Sequence, residues 1–179
     1  MTEWIALLRG VNVGGVTVRS AELAELFREL GFGSVRTVLA TGNVVFTGDE
    51  TATERAALTS RLERALSERF GYAASVVLVT RAEVERAVAA FPFDADDASR
   101  QPWVIFAVSG EVIDDLLASA GELALDPAVD PIARGEGVVY WNPVKGTTTD
   151  TPFAKLIAKA RYKPTTTNRN LRTLLKVLG

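Results

Sequence analysis

Arg9 and Asn12 stand among three glycines in the stretch Leu7-Leu8-Arg9-Gly10-Val11-Asn12-Val13-Gly14-Gly15. A guanidinium carries five donors in a planar fork and suits bidentate contact with phosphate or carboxylate. Gly10, Gly14 and Gly15 leave backbone N–H groups uncovered and permit positive φ. A loop of this kind at a strand end is suited to hold an anion or another polar ligand. The same residues also serve as a plain strand-to-helix turn, and catalysis at the loop is a third reading. No Gly-Lys-Ser/Thr closes the loop, so it is not a P-loop. The Gly-x-Gly-x-x-Gly spacing of dinucleotide binding is absent too.

Composition removes much of the remaining chemistry. The chain of 179 residues has no His and no Cys. Serine–histidine relays, histidine bases, thiolate nucleophiles, disulfides and His- or Cys-ligated metals are therefore excluded. Acid–base work would fall to Asp, Glu, Lys or Tyr. No carboxylate lies in the loop itself, and Glu22 and Lys145 are the nearest candidates. Asp94-Ala95-Asp96-Asp97 lacks the glycine and distal Glu of a calcium loop, so no metal site is expected. No cofactor motif is present.

Charge is unevenly distributed. From Thr151 to Gly179 there are seven basic residues and no acidic one, which leaves the other 150 residues with 13 basic and 22 acidic, a net of −9. Such a segment suits an anionic partner, or packs on the protein's own acidic surface. Within it, Arg169, Asn170 and Arg172 fall at the start of an expected terminal helix, where exposed N–H groups favour anions. That helix carries Leu171, Leu174, Leu175 and Leu178 on one face. Lacking an apolar run near the ~20 residues that span a bilayer, and lacking a basic segment at its start, the chain is expected to be cytoplasmic, with no membrane partner.

The elements that must position these residues follow from periodicity and punctuation. Trp4 to Leu8 reads as a buried strand. Ser20 is placed to cap a helix over 21–30 that ends at Gly31. Val35 to Leu39 and Val44 to Phe46 read as a hairpin through Thr41-Gly42-Asn43. Thr51-Ala52-Thr53-Glu54 has capping-box form and opens a helix with Leu58, Leu62, Leu66 and Phe70 inward. Ser75 to Val79 closes the set as another strand. The order strand, helix, strand, strand, helix, strand is the split β-α-β arrangement of ferredoxin-like domains. In it, strands one and three are antiparallel neighbours, so Arg9 and Gly10 are expected beside Gly42 and Asn43. A second capping box, Thr80-Arg81-Ala82-Glu83, starts a short helix. Strand 103–108, helix 111–119, hairpin 132–141 and a helix capped by Thr151 repeat much of the pattern, the last with Phe153, Leu156, Ile157 and Ala160 inward. The expected class is α+β: two similar intertwined ferredoxin-like units, 1–80 and 81–179, with antiparallel or mixed sheets and helices packed on them.

Three pieces together, the loop from Ala6 to Gly15, Thr41-Gly42-Asn43-Val44-Val45-Phe46, and Thr167-Asn168-Arg169-Asn170 leading to Thr173, resemble the bacterial family called domain of unknown function 1697. The resemblance implies two intertwined ferredoxin-like units and implies no activity. By motif match its signature positions here are Arg9, Gly10, Asn12, Gly14, Gly15, Gly42, Asn43, Arg169 and Asn170. Thr41 replaces an expected Ser, and Thr151-Pro152 replaces a more basic segment.

The reading these features favour is a binding module for a small phosphate-bearing or other anionic ligand, and an enzyme is the less favoured class. Nucleic acid finds weaker support, because the strands lack stacking aromatics and the pI is near 5.3; Phe46 and Trp141 read as core. The alternatives are an enzyme acting on a phosphorylated substrate without His or Cys, and a protein-interaction domain with no small ligand. Ligand identity and oligomeric state are not encoded in any of these signals.

Overall fold

The computed structural model describes residues 1–11, 14–40 and 42–179. Asn12, a residue of the expected site, lies outside the described residues, as do Val13 and Thr41. The chain divides into two compact units, Met1–Val84 with Lys176–Gly179, and Glu85–Leu175. The architecture is mixed α+β, with two four-stranded antiparallel sheets.

The first unit runs β1 (Thr2–Arg9), α1 (Ser20–Glu29), β2 (Gly33–Val38), β3 (Asn43–Gly48), α2 (Arg55–Phe70) and β4 (Ser75–Thr80). Its sheet has the order β2-β3-β1-β4. One face carries Trp4, Ala6, Leu8, Phe46, Val76 and Leu78, clustered with Leu23 and Phe27 of α1 and Leu58, Leu62 and Leu66 of α2. Fully burying each such side chain contributes roughly 1.5–3 kcal/mol. Phe27, Phe32 and Phe46 pack with ring centroids 4.6–6.0 Å apart. On the opposite face Ile5, Leu7, Val45, Val77 and Val79 are buried as well. Burial on both faces is why β1 reads as an unbroken apolar run rather than an alternation.

Local signals set the ends of the helices. Gly31 at φ +90° and Gly71 at φ +68° terminate α1 and α2 in the left-handed region. The Thr51–Glu54 capping box forms, with a 3-10 turn at Ala52–Glu54 ahead of α2. Ser20 does not cap α1. Arg19 occupies the cap position without a side-chain bond, and the Ser20 hydroxyl instead donates to the Ala40 carbonyl at 3.3 Å. The second capping box opens α3 (Arg81–Ala89): Thr80 N–H donates to the Glu83 carboxylate at 2.7 Å, and Glu83 N–H to the Thr80 hydroxyl at 3.3 Å.

The second unit runs β5 (Trp103–Ala107), α4 (Gly110–Gly121), β6 (Ile132–Arg134), β7 (Val138–Trp141), α5 (Pro152–Ile157), β8 (Thr166–Asn170) and α6 (Leu171–Leu178), whose end belongs to the first unit. Its sheet order is β6-β7-β5-β8. Arg169 and Asn170, expected at the start of the last helix, belong instead to β8, which pairs with β5. On α6, Leu171, Leu174 and Val177 are buried while Leu175 is exposed, so the inward face differs from the expected one by a residue. Ala160 is exposed because α5 stops at Ile157. Asp130, buried, ties this unit together: one carboxylate oxygen accepts from Trp141 Nε1 at 2.6 Å and the other from Phe153 N–H at 2.9 Å. Among the described residues, no helix is long and apolar enough to cross a membrane.

Candidate functional site

The antiparallel β1–β3 register sets Leu7 opposite Asn43, and Leu8 N–H donates to the Gly42 carbonyl at 3.0 Å. The end of β1 therefore lies against the start of β3, and Arg9 and Gly10 continue from that point. On the other side, the β1–β4 register sets Arg9 opposite Ser75. Side chains directly opposite on one face have Cβ atoms about 5 Å apart, and diagonal neighbours about 7–8 Å. Arg9, Ser75 and Asn43 thus share one face at one end of the sheet.

Each of these residues has a different local environment. Gly10, at φ +73°, turns the chain out of β1 in a conformation that a side chain rarely adopts. A Cβ there would lie 3.7 Å from the Tyr72 ring. Gly14 and Gly15 also have positive φ, with open space where a Cβ would stand. Asn43 is buried and its Nδ2 donates to the Val38 carbonyl at 3.1 Å. That bond closes the β2–β3 turn, in which Leu39 and Ala40 both adopt left-handed conformations at φ +51° and +52°. Non-glycine residues pay roughly 1 kcal/mol or more each for this geometry. Asn43 thus has a structural task of its own.

Several arginines of the same unit have partners that Arg9 lacks among the described residues. Arg55, Arg61 and Arg69 reach carboxylates, and Arg36 donates to the Val177 carbonyl. The Arg9 guanidinium is half-buried, and its pKa is pushed down by that burial with no opposing charge. No hydrogen bond or ion pair engages it among the described residues. The Tyr72 hydroxyl is buried without a hydrogen-bond partner among the described residues, and burial pushes its pKa up. Tyr72 packs with the helix-side core, on the side where Gly10 faces its ring.

The C-terminal trio belongs to the second unit. Arg169 Nη1 donates to the Thr167 hydroxyl at 2.6 Å and to the Asn168 carbonyl at 2.8 Å. Asn170 Oδ1 accepts from Arg172 N–H at 3.0 Å, and Leu171 N–H donates to the Pro102 carbonyl at 2.9 Å. The N–H groups of Leu171 and Arg172, the first two of α6, are thereby satisfied from within the unit. The expectation that they stand open to an anion is corrected on that ground. The Arg172 side chain is exposed.

The rim of the first sheet offers a guanidinium and a hydroxyl, flanked by glycine backbone. Groups of this kind suit an oxyanion. Glu22, the carboxylate weighed from the sequence, is exposed in the first turn of α1. Among the described residues, no group of three acidic, His or Cys side chains is poised for a metal. Sequence reasoning missed Ser75 and Tyr72. Ser75 was recoverable, since pairing β1 with β4 by topology brings the first residue of β4 to Arg9. Tyr72 carried no signal beyond following Gly71.

A search of curated proteins found no match. Among solved structures, the conserved bacterial protein SP0830 from Streptococcus pneumoniae is similar, with 24% identity and a TM-score of 0.80, over 98% of this chain and 96% of that one. This likeness supports the fold. A family model matches residues 1–140, which include the glycine loop and Gly42-Asn43 and stop short of Arg169, Asn170 and Arg172. With that segment making up most of its 179 residues, the chain belongs to the family described as Protein of unknown function (DUF1697).

Proposed function

We propose that this chain binds a small phosphate-bearing or other anionic ligand at the rim of its first sheet, with Arg9 as the principal contact. The observation that carries the reading is a half-buried guanidinium engaged by no acceptor among the described residues. A cation taken partly out of water without a partner is unfavourable, and an oxyanion supplies what is missing. Ser75 adds a hydroxyl on the same face, and Gly10, Gly14 and Gly15 add backbone at positive φ. Asn43 shapes the turn beside the ligand. Asn12 belongs to the same motif. In this reading the trio Arg169, Asn170 and Arg172 is secondary, because Arg169 and Asn170 already bond within their own unit.

Binding is favoured over turnover because the rim pairs its cation with no carboxylate or imidazole to act as general base. A cytoplasmic setting, where phosphorylated small molecules abound, fits the reading. We also read the two units as copies of one split β-α-β, ferredoxin-like design. Supporting this, each has the element order strand-helix-strand-strand-helix-strand, and the sheet orders β2-β3-β1-β4 and β6-β7-β5-β8 correspond position by position.

A thermal-shift screen of phosphate-bearing small molecules tests the proposal. A ligand at a hundred times its dissociation constant stabilises by about 2.7 kcal/mol. Hits are expected with the wild type and lost in Arg9→Ala. A hit that survives Arg9→Ala and Ser75→Ala unchanged would move the site elsewhere.

A further inference from the structure

We propose that Lys155, Lys159 and Lys163 form a landing surface for the phosphodiester backbone of duplex nucleic acid, without sequence preference. This is independent of the Arg9 rim. All five lysines of the chain lie between residues 145 and 176, whereas the first 144 residues hold twelve arginines and no lysine. Several arginines of each unit are tied to carboxylates, among them Arg55, Arg100 and Arg134. Among the described residues, no lysine makes an ion pair or a side-chain hydrogen bond. Arg161, the cation nearest in sequence, is bound to Asp115 and lies 5.0 Å over the Tyr162 ring.

The three lysines recur every fourth residue through α5 and the turns that follow. Lys155 N–H donates to the Thr151 carbonyl, Lys159 N–H to Leu156 and Lys163 N–H to Lys159, at 3.0–3.1 Å. Phe153, Leu156 and Tyr162 are buried while the lysines are exposed. No acidic residue follows Asp150 in the sequence, and Asp115, which reaches this stretch from α4, is taken up by Arg161 and the Tyr162 hydroxyl.

Other partners fit this surface less well. Membrane-binding segments need exposed apolar residues beside the cations. Among the described residues, the exposed large hydrophobics are Met1, Leu39, Val108, Val129 and Leu175, none of them in this stretch. Protein interfaces are enriched in aromatics and Arg and depleted in Lys. Single strands and base readers need stacking rings, but Tyr162 is buried with its hydroxyl bonded to Asp115 and Ser119. Compact ammonium charges without stacking suit the phosphates of a duplex.

Fluorescence anisotropy of a labelled random-sequence DNA duplex with the full chain, from about 50 to about 200 mM salt, tests this. Wild type is expected to bind at the lowest salt and to weaken steeply as salt rises. Each lost phosphate contact removes about 0.9 from the log–log salt slope, so Lys155→Gln/Lys159→Gln/Lys163→Gln lowers the slope by roughly 3 and the low-salt affinity at least about tenfold. Arg64→Gln, an exposed cation of α2, leaves both unchanged. Circular dichroism confirms that the triple variant is folded. Absence of wild-type binding at about 50 mM salt, unchanged binding by the folded triple variant, or binding only to phosphatidylserine vesicles would each overturn the proposal.

Discussion

Replacing Arg9 with Met separates a binding arginine from a structural one. Methionine keeps an unbranched apolar stem of similar length and deletes the charge. If the guanidinium serves an absent anion, the ligand-free protein carries an uncompensated desolvation cost. Full burial of an unpaired charge costs several kcal/mol. Arg9 is only half-buried, and solvent screens the remainder, so the relief is on the order of 1 kcal/mol. For a chain of this length that raises Tm by about 2–4 °C. Urea denaturation in an anion-free buffer, with and without added phosphate, is the assay. Arg9→Met is expected to be as stable as wild type or more so without anion, and to lose the stabilisation that phosphate gives wild type. Loss of more than about 1 kcal/mol in anion-free buffer would refute the reasoning, since it would show that the guanidinium supports the fold itself.

Two further predictions concern residues that hold the units together. Asp130→Ala leaves Trp141 Nε1 and Phe153 N–H buried without their acceptor. At about 1–3 kcal/mol for each orphaned donor, the total loss is about 2–6 kcal/mol; a change under about 0.5 kcal/mol on denaturation would contradict it. Glu83 is half-buried, which opposes its charge, but bonds from Arg55 and from the Thr80 N–H and hydroxyl outweigh burial and hold its pKa below the usual carboxylate value. Its contribution is therefore present above the unfolded-state pKa and is lost as pH falls through the folded one. Glu83→Gln is expected to flatten the loss of stability below about pH 4.5, and a denaturation series in which the acid limb is unchanged would rule this out.

Much of the first unit was legible because its signals are local. The Trp4–Leu8 run, the leucines at helical spacing in α2, Gly31, Gly71 and two capping boxes each determine their own stretch of chain. From their order follows the meeting of β1 with β3, and with it the neighbourhood of Arg9 and Asn43. What was missed depends on distant partners. β8 is Thr-Thr-Asn-Arg-Asn, with no apolar alternation, and only its ladder with β5 makes it a strand. Asp130 gave no sign of its role, because its two donors lie 11 and 23 residues away. Arg19 takes the cap of α1 although Ser20 has the better side chain, because the Ser20 hydroxyl bonds to Ala40 in the β2–β3 turn. For the site, residue type revealed the cation at position 9, but its lack of a partner among the described residues is a three-dimensional fact. The same holds for Arg169 and Asn170, whose polar groups are satisfied by neighbours that the sequence alone does not rank.

The most direct measurement is a crystal of the wild-type chain soaked in tungstate, an electron-dense phosphate mimic. The proposal predicts anomalous density with oxygens about 3 Å from the Arg9 guanidinium nitrogens. An empty rim in a crystal that holds tungstate elsewhere, or Arg9 paired with a carboxylate of its own chain, would contradict it.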